Sequence, residues 1–193
     1  FFKFTPQFYT LSTDEKSAFH SQWLTALRQS ATACEVYQVS PTRSSADIMV
    51  WSALQADDTA VAGQFFAAFT KASAPFGQWV ELTDTLWGFT KPSMYSRGPS
   101  TQEMSPFVRE RMPYQVVYPF IKTVDWHLLD AKTRQEMMTQ HIKLGKEFPE
   151  ITQLLLYSVG LQDQEFVVSY ETDDLTLFSE LVYQLRSTEV RRY

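Results

Sequence analysis

The chain has 193 residues, 44% of them apolar and 15% aromatic, with a formal net charge of −5. That is ample for a core in one large domain or two small ones, and the acidic balance excludes the basic patch that nucleic acid or an anionic membrane would require. The longest apolar runs, such as ITQLLLYSVG (151–160), are too short to span a bilayer, so no membrane insertion is expected. The opening FFKFTPQFYTLSTDEK lacks the pattern of a secretory signal. Cys34 is the only cysteine, which excludes an internal disulfide or a cysteine-cluster metal site and fits a cytoplasmic location.

In chain order, residues 1–11 alternate as a strand, and Ser12 or Thr13 caps a helix running to about residue 29. CEVYQVS (34–40) and ADIMVWSAL (46–54) read as strands around SPTRSS, followed by a helix over about 58–72 and a strand over 82–91. The order then restarts. YQVVYPFIKT (114–123) is a strand, and Asp130 opens a second-half helix. TQLLLYSVG (152–160) and QEFVVSYET (164–172) form a hairpin, and 173–190 is a helix. This predicts an α+β fold of two ferredoxin-like βαββαβ halves, the second without its last strand. The expected division is a structural half over 1–91, a flexible linker or lid over 92–107, and a binding half over 108–193. The Pro, Ser and Gly content of 92–107 supports either a plain linker or a lid.

The candidate chemistry sits in the second half. His141 lies in MMTQHIKLGKEF, where Met137, Met138 and Leu144 share its helical face. An imidazole among apolar neighbours is either a satisfied core residue or a ligand to something buried. With only His20, His127 and His141 available, a multi-histidine site is disfavoured, whereas one axial ligand to haem needs a single histidine. Tyr118 and Lys122, four apart in one strand, are expected on the same side. Trp126 follows, and Gln153 opens an otherwise apolar strand. Arg109 and Arg111 are either surface charges or a fork for a carboxylate. No P-loop, dinucleotide fingerprint, nucleophile elbow or zinc signature is present.

Taken together, PFVRERM, YPFIK, the following tryptophan, MMTQHIKLGKEF and QLLLYSVGLQDQEFVVSYETDDLTLFSELVYQLRSTEVRRY resemble the chlorite dismutase-like haem protein family, nearest its coprohaem decarboxylase branch. The resemblance covers most of 105–193 and implies paired ferredoxin-like halves (a dimeric α+β barrel), a homopentameric ring and haem bound in the second half. It implies His141 as the iron ligand and Glu189 as the carboxylate partner of its other ring nitrogen, a register shift of two being open. It further implies Tyr118 as the redox-active tyrosine, Lys122 near a propionate, Trp126 beside the pocket and Arg111 as a propionate anchor. Counting back from Gly160 places Gln153 at the distal position, while counting forward from His141 places Leu154 there. Neither is the arginine that chlorite chemistry uses to stabilise its anions. Phe120 stands where the branch has methionine, and the segment from Arg111 to Tyr118 is shorter than usual.

The implied activity is hydrogen peroxide-dependent decarboxylation of iron coproporphyrin III, at once substrate and cofactor, to haem b. A tyrosyl radical at Tyr118 would attack the propionate, with Lys122 assisting. The rival readings are a chlorite dismutase or peroxidase, a haem sensor or carrier, and a haem-free α+β binding protein with His141 in its core.

Overall fold

The structure is a computed structural model and describes every residue except 97, 99, 108 and 109. It divides into two compact units, Phe1–Thr85 and Leu86–Tyr193. The first runs β1 (Phe2–Phe4), α1 (Pro6–Tyr9), α2 (Thr13–Arg28), β2 (Ala33–Gln38), β3 (Ile48–Ala53), α3 (Val61–Ser73) and β4 (Val80–Leu82). The second runs β5 (Tyr114–Phe120), α4 (Val124–Leu128), α5 (Ala131–Gly145), β6 (Thr152–Tyr157), β7 (Phe166–Thr172) and α6 (Leu175–Leu185), closed by a 3-10 turn over Glu189–Arg192.

The sheet of the first unit has the order β2-β3-β1-β4, and all its named pairings are antiparallel. This is the strand order of a complete ferredoxin-like βαββαβ unit. Its core holds Phe2, Phe8, Phe19, Trp23 and Leu27. Ser12 is the cap of α2: its Oγ accepts from Glu15 N–H while the Glu15 carboxylate accepts from Ser12 N–H, a reciprocal capping box. The first strand is shorter than expected because Pro6, at the first turn of α1, turns Pro6–Tyr9 into helix.

The sheet of the second unit has the order β5-β7-β6, again antiparallel and, as expected, without a fourth named strand. Instead of an independent strand over 82–91, Phe89 bridges Tyr157 at the outer edge of β6. Gly88 is required there, since a Cβ would meet Ser158 Oγ and Tyr157 O at 2.7 Å. Further along the same edge, Gln153 N–H donates to Gln102 O and Met104 N–H donates to Gln153 O, both at 2.8 Å. The Gln102 amide donates to the carbonyls of Gly145, Phe148 and Ile151. Gln102 and Met104 are buried, so this part of 92–107 is fixed to the sheet edge and to the end of α5. Such cover also blunts the edge against pairing with other chains.

Alternation along the three strands gives the sheet two distinct faces. Val116, Tyr118, Phe120, Phe166, Val168, Tyr170, Gln153, Leu155 and Tyr157 share one face by register. On this face Val168 and Tyr170 pack with Leu181 and Leu185 of α6 and Leu144 of α5. The helices therefore lie over the Tyr118 face.

Candidate functional site

α5 starts where Asp130 accepts from Thr133 N–H at 3.0 Å. Met137, Met138, His141 and Leu144 form its inward stripe, but no residue of α5 is fully buried. His141 Nδ1 lies 3.1 Å from Thr188 Oγ1, and that hydroxyl donates its own proton to Leu185 O at 2.6 Å. With its single proton committed, Thr188 can only accept, so the network assigns the hydrogen to His141 Nδ1. Nε2 carries the free lone pair and takes no hydrogen bond among the described residues. Burial, then Lys122, then Arg191 hold the imidazole down to about 4, so it is neutral at pH 7.

β5 ends at Phe120. Lys122 therefore lies in the turn into α4, and the strand alternation expected to align it with Tyr118 does not reach it. Its N–H donates to the Glu165 carboxylate, its ammonium donates to Val190 O at 3.4 Å, and it sits 4.6 Å from the Trp126 ring. Burial, with Arg191 adding repulsion and Glu165 opposing both, brings its ammonium down to about 8. Trp126 is buried between Tyr95 and Tyr193, at ring distances of 6.4 and 5.9 Å.

Tyr118 retains 36% of its surface and Leu155 37%, though both pair with buried Val168. The Tyr118 and Tyr170 rings lie 6.2 Å apart, and the Tyr170 phenol is pushed well above its usual range, chiefly by burial and then by Tyr118. Gln153 pairs with Tyr170 and shares the face of Tyr118; Leu154 pairs with Ser169, points to the opposite face and keeps only 3% of its surface. Of the two distal candidates, the strand register thus puts Gln153 on the helix-covered side.

Two expected site residues have other partners in this structure. The Arg111 guanidinium meets the Glu171 carboxylate at 3.1 Å and donates to Pro106 O at 2.8 Å. Glu171 pairs with Gln115 and Thr152, on the face opposite Tyr118, so Arg111 is engaged away from the candidate site. Both members of this pair are largely buried, and removing one partner leaves an uncompensated charge. Arg111→Met is expected to lower stability by about 3 kcal/mol, read as a fall in the chemical denaturation midpoint. Glu189 keeps 58% of its side-chain surface beside Arg192 and lines a shallow groove with Met137 and Gln140. Thr188, one residue earlier, takes the place on the imidazole. Arg109 lies outside the described residues. The sequence reading missed Thr188, Tyr170 and Arg191, the last of which acts electrostatically on His141, Lys122 and Tyr170.

No group of three His, Cys, Asp or Glu able to hold a metal ion occurs among the described residues. A lone neutral imidazole with a free Nε2, over a sheet face bearing a partly open apolar strip, suits a metal that brings its other ligands with it.

A chlorite dismutase family model matches residues 10–193. The chain belongs to the chlorite dismutase family. It is 24% identical over 163 residues to the coproheme decarboxylase of Mycolicibacterium smegmatis, covering 82% of this chain and 66% of that protein. It is 26% identical over 141 residues to the chlorite dismutase of Ideonella dechloratans, covering 69% of this chain and 49% of that one. The chain thus spans less than two thirds of the length of these relatives. A mutant chlorite dismutase from Candidatus Nitrospira defluvii superposes with a TM-score of 0.82 at 23% identity, covering 99% of this chain and 82% of the other.

Proposed function

We propose that the protein binds iron coproporphyrin III through His141 and decarboxylates two of its propionates oxidatively, giving haem b at the expense of hydrogen peroxide. The observation that carries this reading is a neutral, Nε2-free His141 on α5 over the sheet face that presents the Tyr118 phenol. The coproheme decarboxylase relative supports the substrate. The absence of a cation at Gln153 or Leu154 weighs against chlorite, whose anionic products require one.

Each propionate reacts with one peroxide and one proton to give a vinyl group, carbon dioxide and two waters. The bound iron supplies peroxide activation. His141 holds the iron. Tyr118 would pass an electron and a proton to the oxidant formed from peroxide and then take a hydrogen atom from the propionate β-carbon; loss of the carboxyl group as carbon dioxide would close the double bond and deliver the second electron to the same oxidant. Tyr170, kept protonated by burial, can donate to the Tyr118 oxygen and so steer the hydrogen of Tyr118 toward substrate. Lys122 and Arg191, whose charges both act on His141, would hold the carboxylates. Trp126 packs against Lys122 and fixes it. Gln153 can donate to a distal ligand but supplies no fixed charge.

An ammonium near 8 is suited to giving up the consumed proton close to neutral pH. It is charged below that value and neutral above it. The initial rate of vinyl formation is therefore expected to fall as pH rises through about 8, and Lys122→Met to flatten that limb; stopped-flow traces across pH check this.

Assembly as a homopentamer belongs to the same proposal. Val124 and Leu128, one turn apart on α4, and nearby Ile121 are exposed, the kind of apolar patch a subunit contact covers. The function is tested by adding stoichiometric peroxide to the iron coproporphyrin complex and resolving the porphyrins by mass. Loss of two carboxyl groups supports the decarboxylase, and tight binding with unchanged mass points to a haem carrier.

A further inference from the structure

The side chain on the protein-facing nitrogen of His141 is a hydroxyl, and that hydroxyl has one fixed orientation. Thr188 is 3% exposed, and its extended backbone follows the C-terminal end of α6. Leu185, the last residue of α6, accepts from both the Thr188 hydroxyl at 2.6 Å and the Thr188 N–H at 3.2 Å. The carbonyls in the last turn of a helix have no partner within the helix and carry the negative end of its dipole. A relay therefore runs from Nδ1–H to the Thr188 hydroxyl and on to the Leu185 carbonyl.

We propose that Thr188 is the positioning residue of His141, fixing the Nδ1–H tautomer through the end of α6 and thereby presenting Nε2 as the coordinating atom. This inference rests on the proposed iron–porphyrin reading for its purpose, but the tautomer itself belongs to the protein alone. The relay ends on a partial charge rather than a carboxylate. It orients the imidazole by holding its Nδ1–H, while drawing that proton away less strongly than an anionic partner would. The ligand stays a neutral imidazole, with less electron donation to a bound iron than a carboxylate-linked one provides.

Valine matches threonine in shape and lacks the acceptor, and serine keeps it. Proton–nitrogen correlation spectra of the ligand-free protein at neutral pH read the tautomer of His141 directly. Wild type and Thr188→Ser are expected to show a single Nδ1–H form, and Thr188→Val a mixture. An Nε2–H form in wild type, or an unchanged tautomer in folded Thr188→Val, overturns the proposal. With iron coproporphyrin III as probe, Thr188→Val should bind about 10-fold more weakly, while metal-free coproporphyrin III binds equally to both proteins. Equal weakening for both porphyrins would mean a packing role and also overturns it. The predicted tautomers in a wild-type protein that takes up no iron porphyrin would refute the iron–porphyrin reading and leave the Thr188 assignment intact.

Discussion

Tyr118→Phe is expected to bind iron coproporphyrin III within about threefold of wild type, while its yield of vinyl product falls by roughly three orders of magnitude, the scale on which an essential catalytic group is lost. The substitution removes one oxygen from a side chain that already keeps 36% of its surface, so packing of the sheet face is preserved. What disappears is the phenolic hydroxyl beside Tyr170. A lost hydrogen bond at a partly exposed site costs about 1 kcal/mol, too little to unfold the unit. Binding by Soret titration and product by mass separate the two effects. Normal product formation in the variant would remove Tyr118 from the chemistry and turn attention to Trp126 or Tyr170.

His141→Ala is expected to lose more than about 100-fold in affinity for iron coproporphyrin III, exceeding what loss of a residue that only hydrogen-bonds to a ligand costs. The imidazole is the axial ligand in the proposed mechanism, and burial keeps it uncharged with Nε2 available to bond. The variant also strips Thr188 Oγ1 of its donor, but that hydroxyl retains Leu185 O, so the second unit stays folded. Affinity for metal-free coproporphyrin III, which gains nothing from an axial ligand, is expected to change little.

Much of this was legible in sequence because it is local. The spacing of Met137, Met138, His141 and Leu144 defined one helical face. Ser12 or Thr13, and Asp130, announced helix starts, and the structure gives Ser12 and Asp130 as caps. The order of elements specified the ferredoxin-like units before any contact was known. What escaped depends on partners far along the chain. Nothing near Arg111 reveals that Glu171, sixty residues on, holds it. The family resemblance implied Glu189 as the partner of the imidazole, whereas the break after α6 brings Thr188 onto its Nδ1, a matter that only the backbone decides. In β6, LLLY hides the strand period because both faces are apolar, so only pairing with β7 separates Gln153 and Leu155 from Leu154 and Leu156. The turn after Phe120 likewise undid an alternation argument that assumed the strand continued to Lys122.

Resonance Raman spectroscopy of the ferrous iron coproporphyrin III complex tests the central claim most directly. With His20, His127 and His141 as the only histidines, the account predicts one iron–histidine stretch that shifts on nitrogen-15 labelling of histidine and is absent in His141→Ala. The same stretch persisting in His141→Ala would contradict it.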